Sequence, residues 1–540
     1  MKTKTFNKDY QTYFVLILFF SHQFYYVLKG GTTWDDLEIQ KTTLRILDKA
    51  FWFFEDRTNT FLGDFNFNLE YYGYFVPLIV YFISNFLISN VYTSYLFENT
   101  LNIEIYSSQD LLSISRNIAI NIYVLFSLLV IYFLISKFLS KNYAFYFVIF
   151  LILIPSFNGH ALFNIKDIPF LIQYLIAVVL TINFDLPTSK LDGKSLRYLI
   201  FLGLIYGLVV LVRFNGYAFL FLLSFFKFIN NYKNSINNIS TLLINSFIIY
   251  SVSFISLILF SPSAWNNPIV WLRGVYNTQF NLDWTGGTLT NGSYVYATEM
   301  SPFYLITWFS HKLPIVYIFT FFISIFIYLL FYKKKYFSDL GKFSLYIISI
   351  VNLIFFILRP ISYDGIRQYL FLLPFFVILF VEISNFIKKK YGLNIFYSFL
   401  LFSIIYLIYS QNSLGPYKYV YFNEFVDENE ITTDCEKIGG CGNWETDYWG
   451  YSIKELMTGL DSTENIIYCE PIHVFSTYKE SSLINEDMTN FYIGSIHRRM
   501  DNSLCPKFVY ENKNCTVYKK TTVHLRNNPI NLSYLYKCEK

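Results

Sequence analysis

Long runs of apolar residues, separated by short polar segments, follow one another along most of the chain. A helix needs about 20 apolar residues to cross a bilayer, and about eleven runs come close to that length. Among the runs after the first, only Glu382 places a charge inside one. The pattern predicts a mainly α, polytopic membrane bundle whose spans lie near 11–28, 117–136, 142–157, 169–184, 198–212, 214–226, 241–260, 315–332, 343–358, 369–386 and 392–410.

Composition supports this interpretation. Hydrophobic residues make up 54% of the chain and charged residues only 15%, whereas soluble domains carry about 25% charged residues. A soluble globular enzyme is therefore excluded. The net charge of +4 is too small to indicate a nucleic-acid partner.

The positions of the lysines predict the orientation. Lysines precede the first run, no small-residue cleavage site follows it, and we expect a retained span that starts in the cytoplasm. Alternating the later spans puts the short basic loops on that side, as the positive-inside rule requires. These loops contain Lys137 and Lys141; Lys190, Lys194 and Arg197; Lys227 and Lys233; Lys333 to Lys335; and Lys388 to Lys390.

One further apolar stretch, 71–89, would invert every later loop if it crossed the membrane. We therefore interpret it as a re-entrant or interfacial helix on the outer side. The alternative is that it does cross and that a weaker segment does not.

All six cysteines lie in the C-terminal tail: Cys435, Cys441, Cys469, Cys505, Cys515 and Cys538. An even set confined to one polar segment indicates disulfides and an oxidising compartment. An odd number of spans also places this tail outside. A zinc site is the alternative, but no pair has the C-x-x-C spacing that zinc modules favour. We predict a membrane domain over 1–410 and a small extracytoplasmic α/β domain over 411–540.

The first candidate site is the acidic pair Asp35 and Asp36, directly after the first span. Adjacent carboxylates repel each other, which favours a general base, or they bind a divalent cation. The alternative is a helix N-cap.

Other charged groups lie at the same predicted face. His160, Lys166 and Asp167 occupy the next outer loop, Arg213 stands alone between two runs, and Asp364 and Arg367 follow a later span. An ion pair at a helix start and a snorkelling arginine would explain some of them without function. Together they suit a reaction whose leaving group is a phosphate, and a lipid phosphate carrier is the natural donor outside the cytoplasm.

Several motifs resemble the membrane-embedded GT-C glycosyltransferases, in particular family 39 and its relatives among protein O-mannosyltransferases and lipid A aminoarabinose transferases. They are Trp34-Asp35-Asp36; Leu69-Glu70-Tyr71-Tyr72-Gly73; Gly159-His160; Lys166-Asp167-Ile168-Pro169-Phe170; Arg213 with Gly216; Pro262 with Trp265; Tyr363-Asp364-Gly365 with Arg367; the run from Phe371 to Pro374; the run from Pro416 to Glu424; and the run from Glu445 to Gly450.

The resemblance implies a GT-C type bundle with outer interfacial helices, a polyprenyl-phosphate sugar donor, and a lipid, glycan or protein acceptor. It implies inversion at the sugar carbon, with Asp35 as base. Asp36 stands where relatives often have Glu, and Gln368 stands where we expect His. Lys166, Arg213 and Arg367 are implied to bind phosphate.

The resemblance leaves metal use open, because some of these enzymes use Mg or Mn and others replace the ion with basic side chains. Asp35 and Asp167 are the candidate ligands, and we expect no obligatory metal. The predicted location is a bacterial inner membrane, with the N-terminus cytoplasmic and the tail periplasmic. The competing interpretations are a transporter or lipid flippase and a membrane-anchored assembly factor.

Overall fold

The structure is a computed structural model, and it describes residues 8–52, 71, 73–89, 105–184, 192–235, 239–280, 286–331, 336–433, 438–460, 465–482, 490–497, 505 and 515–539. Several residues named above lie outside the described residues, namely Leu69, Glu70, Tyr72, Lys190, Lys333 to Lys335 and Cys435.

Helices dominate the described residues as far as Tyr409. They are α1 (Lys8–Lys29), α2 (Asp36–Trp52), α3 (Phe75–Ser89), α4 (Ser108–Phe138), α5 (Lys141–Ile152), α6 (Pro155–His160), α7 (Asp167–Asn183), α8 (Gly193–Val212), α9 (Gly216–Ser235), α10 (Ile239–Leu259), α11 (Pro268–Phe280), α12 (Tyr304–Lys312), α13 (Ile315–Leu330), α14 (Asp339–Leu358), α15 (Leu373–Tyr391) and α16 (Leu393–Tyr409). A short 3₁₀ helix, Arg367–Leu372, leads directly into α15.

Among the described residues, six helices are long and apolar enough to cross a membrane, or seven if the bent pair α12 and α13 forms one span. Shorter apolar helices include α5, α7 and most of α9. Each of the eleven predicted runs is mainly helical where the structure describes it, although the run 142–157 is divided between α5 and α6. The predicted mainly α fold of an integral membrane protein is therefore confirmed. Helix α3 has 15 residues, fewer than the about 20 that a span requires. We keep the interpretation that it lies at the membrane surface.

Contacts between helix ends show which ends lie at the same face of the bundle. At one face, Lys141 at the start of α5 forms an ion pair with Asp9 at the start of α1, and Lys227 donates to the carbonyl of Ile182 at 2.8 Å. The opposite face brings together the end of α1, the start of α7 and the end of α8. This grouping agrees with the predicted alternation of the spans.

The tail contains three short helices, α17 (Glu428–Ile431), α18 (Ile453–Met457) and α19 (Ile472–Ser476), and a four-stranded sheet. Its strands are β3 (Ile466–Tyr468), β4 (Asn490–Ile496), β5 (Cys515–Leu525) and β6 (Asn528–Glu539) in the order β3-β4-β6-β5; a separate hairpin, β1 (Gly287–Thr290) with β2 (Ser293–Tyr296), precedes α12. Strands β3 and β4 are parallel, and the other pairs of the sheet are antiparallel.

Disulfides link Cys469 to Cys505 and Cys515 to Cys538, as the cysteine pattern predicts. Cys441 is also disulfide-bonded. The first part of the tail packs directly on the helices, since Leu414, Tyr419 and Trp449 belong to the same buried cluster as the membrane bundle. The domain boundary at 410 stays a prediction.

Candidate active site

Arg367 lies at the centre of a cluster of carboxylates. Its Nη2 donates to Asp35, its Nε donates to Asp167 at 3.2 Å, and its Nη1 donates to Asp364 at 2.8 Å. The first of these partners is 332 residues away in the chain. Three of the predicted outer segments therefore meet at one guanidinium, whose planar fork suits several carboxylates at once.

A strained turn presents Asp364 to this cluster. Asp364 has a φ of 59° and Gly365 a φ of 65°, a region that favours glycine. The backbone N–H of Asp364 donates to Thr288 in strand β1 at 3.1 Å, and that of Gly365 donates to the Tyr304 hydroxyl at 3.0 Å. A Cβ on Gly365 would come within 2.9 Å of Trp308. The hairpin and helix α12 thus fix the position of the turn.

Asp167 is held from two further sides. Arg213, which ends helix α8, forms an ion pair with its Oδ1. Asn164 donates to Asp167 Oδ2 at 2.9 Å and accepts from the backbone N–H of Asp167 at 2.8 Å. With only 3% of its side chain exposed, Asp167 is a buried anchor between two guanidinium groups.

Lys166 lies immediately before helix α7 and within the field of the same cluster. Burial lowers the pKa of Lys166, the nearby Asp35 carboxylate opposes that shift, and Arg367 and Arg213 add to it. Three cations, Lys166, Arg213 and Arg367, therefore face three carboxylates, Asp35, Asp167 and Asp364. The cluster is formally neutral.

Asp36 has different contacts from its neighbour. Its carboxylate accepts from the backbone N–H of Thr33 at 2.8 Å and from the Thr33 hydroxyl, and it forms an ion pair with the buried Arg116. A carboxylate that accepts from the backbone N–H three positions earlier makes one of the two hydrogen bonds of a capping box. Asp36 therefore supports the start of helix α2, whereas Asp35 faces Arg367.

His160 contacts Asn164, the residue that donates to Asp167. Its Nδ1 contacts Asn164 Nδ2 at 3.1 Å, and its Nε2 contacts the Tyr448 hydroxyl at 2.9 Å. Burial lowers the pKa of His160 to about 3, so the ring is neutral. Because the carbonyl oxygen of Asn164 accepts from backbone N–H groups, its amide nitrogen donates to Nδ1, and Nε2 carries the ring proton. His160 therefore fixes Asn164 by hydrogen bonds.

The tail covers the cluster. The guanidinium carbon of Arg367 lies 3.9 Å from the ring centroid of Trp449, and the Trp449 carbonyl accepts from the backbone N–H of Trp34 at 2.9 Å. No role for Trp449, Tyr448, Asn164 or Arg116 follows from the sequence alone. The motif from Glu445 to Gly450 was the available signal for the first two.

Several buried donors around the cluster have no hydrogen-bond partner among the described residues. They are Arg213 Nε, Arg116 Nε and the indole Nε1 of Trp449. Native proteins leave few buried donors unpaired. A surplus of donors beside a neutral charge cluster suits a ligand that is rich in oxygen acceptors, such as a phosphate.

The carboxylates do not fit a divalent metal as they are arranged. The described residues contain no group of three or more His, Cys, Asp or Glu side chains with metal-binding geometry. Asp35 and Asp167, the candidate ligands, both bind Arg367, whose guanidinium stands where their oxygens converge. A cation is thus already supplied by the chain.

Fold and site together define a polytopic membrane protein with a mixed-charge site at one end of its helical bundle, covered by a tail domain. No family model and no curated protein matches the chain. Among solved structures, ArnT from Cupriavidus metallidurans, crystallised with undecaprenyl phosphate, resembles it over 97% of both chains, with 8% sequence identity and a TM-score of 0.43.

Proposed function

We propose that this protein is an integral membrane glycosyltransferase. It moves a sugar from a polyprenyl-phosphate donor to an acceptor hydroxyl on a lipid, glycan or protein, with inversion at the sugar carbon. The reaction takes place at the extracytoplasmic face, in a bacterial inner membrane with a cytoplasmic N-terminus and a periplasmic tail. The motifs that resemble the GT-C glycosyltransferases are consistent with this assignment.

The observation that carries the proposal is the meeting of Asp35 with Lys166, Arg213 and Arg367. Asp35 is the most exposed carboxylate of the cluster, with 27% of its side chain accessible, against 3% for Asp167 and 1% for Asp364. The reaction needs a base that reaches a substrate and cations that stabilise a leaving phosphate. The exposure of Asp35 supports its role as the base, and the nearby basic residues support binding of the phosphate.

The proposed reaction is a single displacement at the anomeric carbon of the donor. Asp35 accepts the proton of the acceptor hydroxyl while that oxygen attacks the anomeric carbon of the donor. The bond between this carbon and the phosphate oxygen breaks, and its electron pair leaves with the polyprenyl phosphate. Lys166 and Arg213 stabilise the added charge on the phosphate. Attack from the side opposite the phosphate inverts the configuration.

Arg367 would couple donor binding to the activation of Asp35. A carboxylate paired with a guanidinium is a poorer base than one without a positive partner. A donor phosphate offers Arg367 another anion, and transfer of the guanidinium to that phosphate would release Asp35. The base would therefore gain strength only when the donor is in place, and Asp167 and Asp364 would keep Arg367 anchored.

The proposal is tested by mass spectrometry of lipid-linked sugars and surface glycans. Cells without the gene should accumulate the donor and lose the glycosylated product, and the native gene should restore the product. The Asp35→Asn variant should insert in the membrane at the native level and fail to restore it. Full restoration by that variant contradicts the proposed base, and unchanged glycans in cells without the gene contradict the proposed function. A transporter or flippase would move a lipid without forming a new glycosidic bond.

A further inference from the structure

A second basic region lies where the tail packs against helix α1. Lys418, in a short 3₁₀ helix of the tail (Lys418–Val420), packs behind His22 of α1 and contacts Asn158 of helix α6. None of the contacts that the structure gives Lys418 joins it to the carboxylates bound by Arg367. Lys418 therefore has a different set of contacts from the Arg367 cluster.

Lys418 is buried without a negative partner among its described contacts. Only 5% of the residue is exposed. Its ammonium donates to His22 Nε2 and to Asn158 Oδ1, each at 3.2 Å, and lies 5.4 Å from the ring centroid of Tyr26. All these partners are neutral or aromatic, and burial lowers the pKa of Lys418 to about 7. A buried ammonium is costly unless an anion compensates it.

His22 extends this region to the surface. Because His22 Nε2 accepts from Lys418, the proton of the neutral ring resides on Nδ1, and the side chain is exposed. This exposed imidazole N–H is a donor that an external acceptor can reach. Lys29, seven residues later, lies about 10 Å further along the axis, and its ammonium donates to the Tyr25 hydroxyl at 2.5 Å.

The same face of α1 continues as an apolar surface. Phe14 and Leu18, 63% and 53% exposed, precede His22 at four-residue intervals, and residues with this spacing share one side of a helix. The exposed Tyr25 follows three residues after His22. One helix face therefore presents apolar groups towards its start and hydrogen-bond donors towards its end.

We propose that this face, with Lys418 behind it, binds an anionic phospholipid. The phosphate would accept hydrogen bonds from His22 and from Lys418 and compensate the buried charge. The acyl chain would lie along Leu18 and Phe14. The lipid belongs to the leaflet on the side of the Arg367 cluster, because α1 ends on that side. The inference does not depend on the proposed function.

The experiment uses the full-length protein in nanodiscs of phosphatidylcholine, with and without 20 to 30 mol% phosphatidylglycerol, on the order expected for an anionic membrane. The measured quantity is the thermal midpoint. We expect phosphatidylglycerol to raise the midpoint of the native protein by several degrees, and Lys418→Met to lose most of that rise. Lys141→Met is the matched control: Lys141 is an exposed lysine at the opposite end of the bundle, and this variant should keep the rise.

Other results of this experiment would overturn the proposed lipid site. The proposed site is wrong if phosphatidylglycerol does not raise the midpoint of the native protein, or if Lys418→Met keeps the full rise. It is also wrong if Lys418→Met and Lys141→Met lose the rise equally, because the effect is then a general attraction between charges. If Lys418→Met does not fold, His22→Phe tests the same phosphate contact at an exposed position. Glycerol phosphate added to phosphatidylcholine nanodiscs should have no effect. An equal rise with this soluble anion would overturn the assignment to a lipid.

Discussion

Two adjacent acidic residues in this protein have different surroundings. Asp35 is partly exposed and bound to Arg367, and Asp36 is buried against Thr33 and Arg116. By sequence, both residues are catalytic candidates, and either is also a candidate for the helix cap. The start of helix α2 turns the two side chains in different directions. Asp35 pairs with Arg367, and Asp36 pairs with Arg116. The pair therefore allows catalytic and structural effects to be separated.

For Asp35→Asn, we expect the turnover number for sugar transfer to fall about 10²- to 10⁴-fold, the usual contribution of a general base. The thermal midpoint should change little, because the side chain is partly exposed. A transfer assay with purified protein measures the first quantity, and a melting curve the second. Turnover within a few-fold of the native value would remove Asp35 from the mechanism.

For Asp36→Asn, the main effect should be on stability. The substitution removes the negative partner of buried Arg116, and breaking such a pair costs about 3–5 kcal/mol. The control is Asp339→Asn, which breaks the more exposed pair with Lys342 and should cost less than about 1 kcal/mol. Denaturation in detergent compares the two. Equal stability losses would show that the Asp36 pair is not the buried support described here.

The tail has a buried histidine, His497, directly after strand β4. Burial lowers the pKa of His497 from 6.5 to about 4. Its Nδ1 contacts the Thr446 hydroxyl at 3.1 Å, and its Nε2 contacts the Cys441 carbonyl at 3.1 Å. The folded tail therefore holds the neutral ring, whereas the unfolded chain would bind a proton below about pH 6.5.

This difference predicts the pH dependence of the tail. The contribution of His497 is fully present above about pH 6.5, and it is lost as the pH falls towards 4, at a total of about 3 kcal/mol. His497→Gln removes this titration, so its thermal midpoint should fall less than the native midpoint as the pH drops from about 6.5 towards 4. His524→Gln, at an exposed position of β5, should keep the native pH dependence, and the same dependence in His497→Gln would contradict the assignment.

At the scale of the whole molecule, the two faces of the bundle should lie in different compartments. The described cysteines are all in disulfides, which permits labelling of single introduced thiols. Asn527→Cys, in the exposed turn before β6, should react with a membrane-impermeant maleimide in cells in which only the outer membrane is made permeable. Lys194→Cys, exposed at the start of helix α8, should react only after the inner membrane is opened. The reverse pattern would place the site in the cytoplasm.

The membrane helices and the disulfide-bonded tail followed from the sequence because both depend on composition over many residues. Apolar runs without charge have few alternatives to membrane helices, and cysteines confined to one segment can pair only there. The short runs at α5 and α7 were also recognised, since their flanking polar residues mark the ends. Segment 71–89 was harder, because length and hydropathy alone do not separate an interfacial helix from a span.

The apolar pattern is enough to show that this chain enters a membrane, and it leaves a small set of charged residues that the orientation does not explain. Which of those residues meet depends on the packing of the helices. Asp35, Asp167, Asp364 and Arg367 come together because separate helices and a hairpin end at one face, and Trp449 covers them because the tail returns to that face. Such contacts join residues hundreds of positions apart, and their formation depends on the packing of whole helices, which no local pattern encodes.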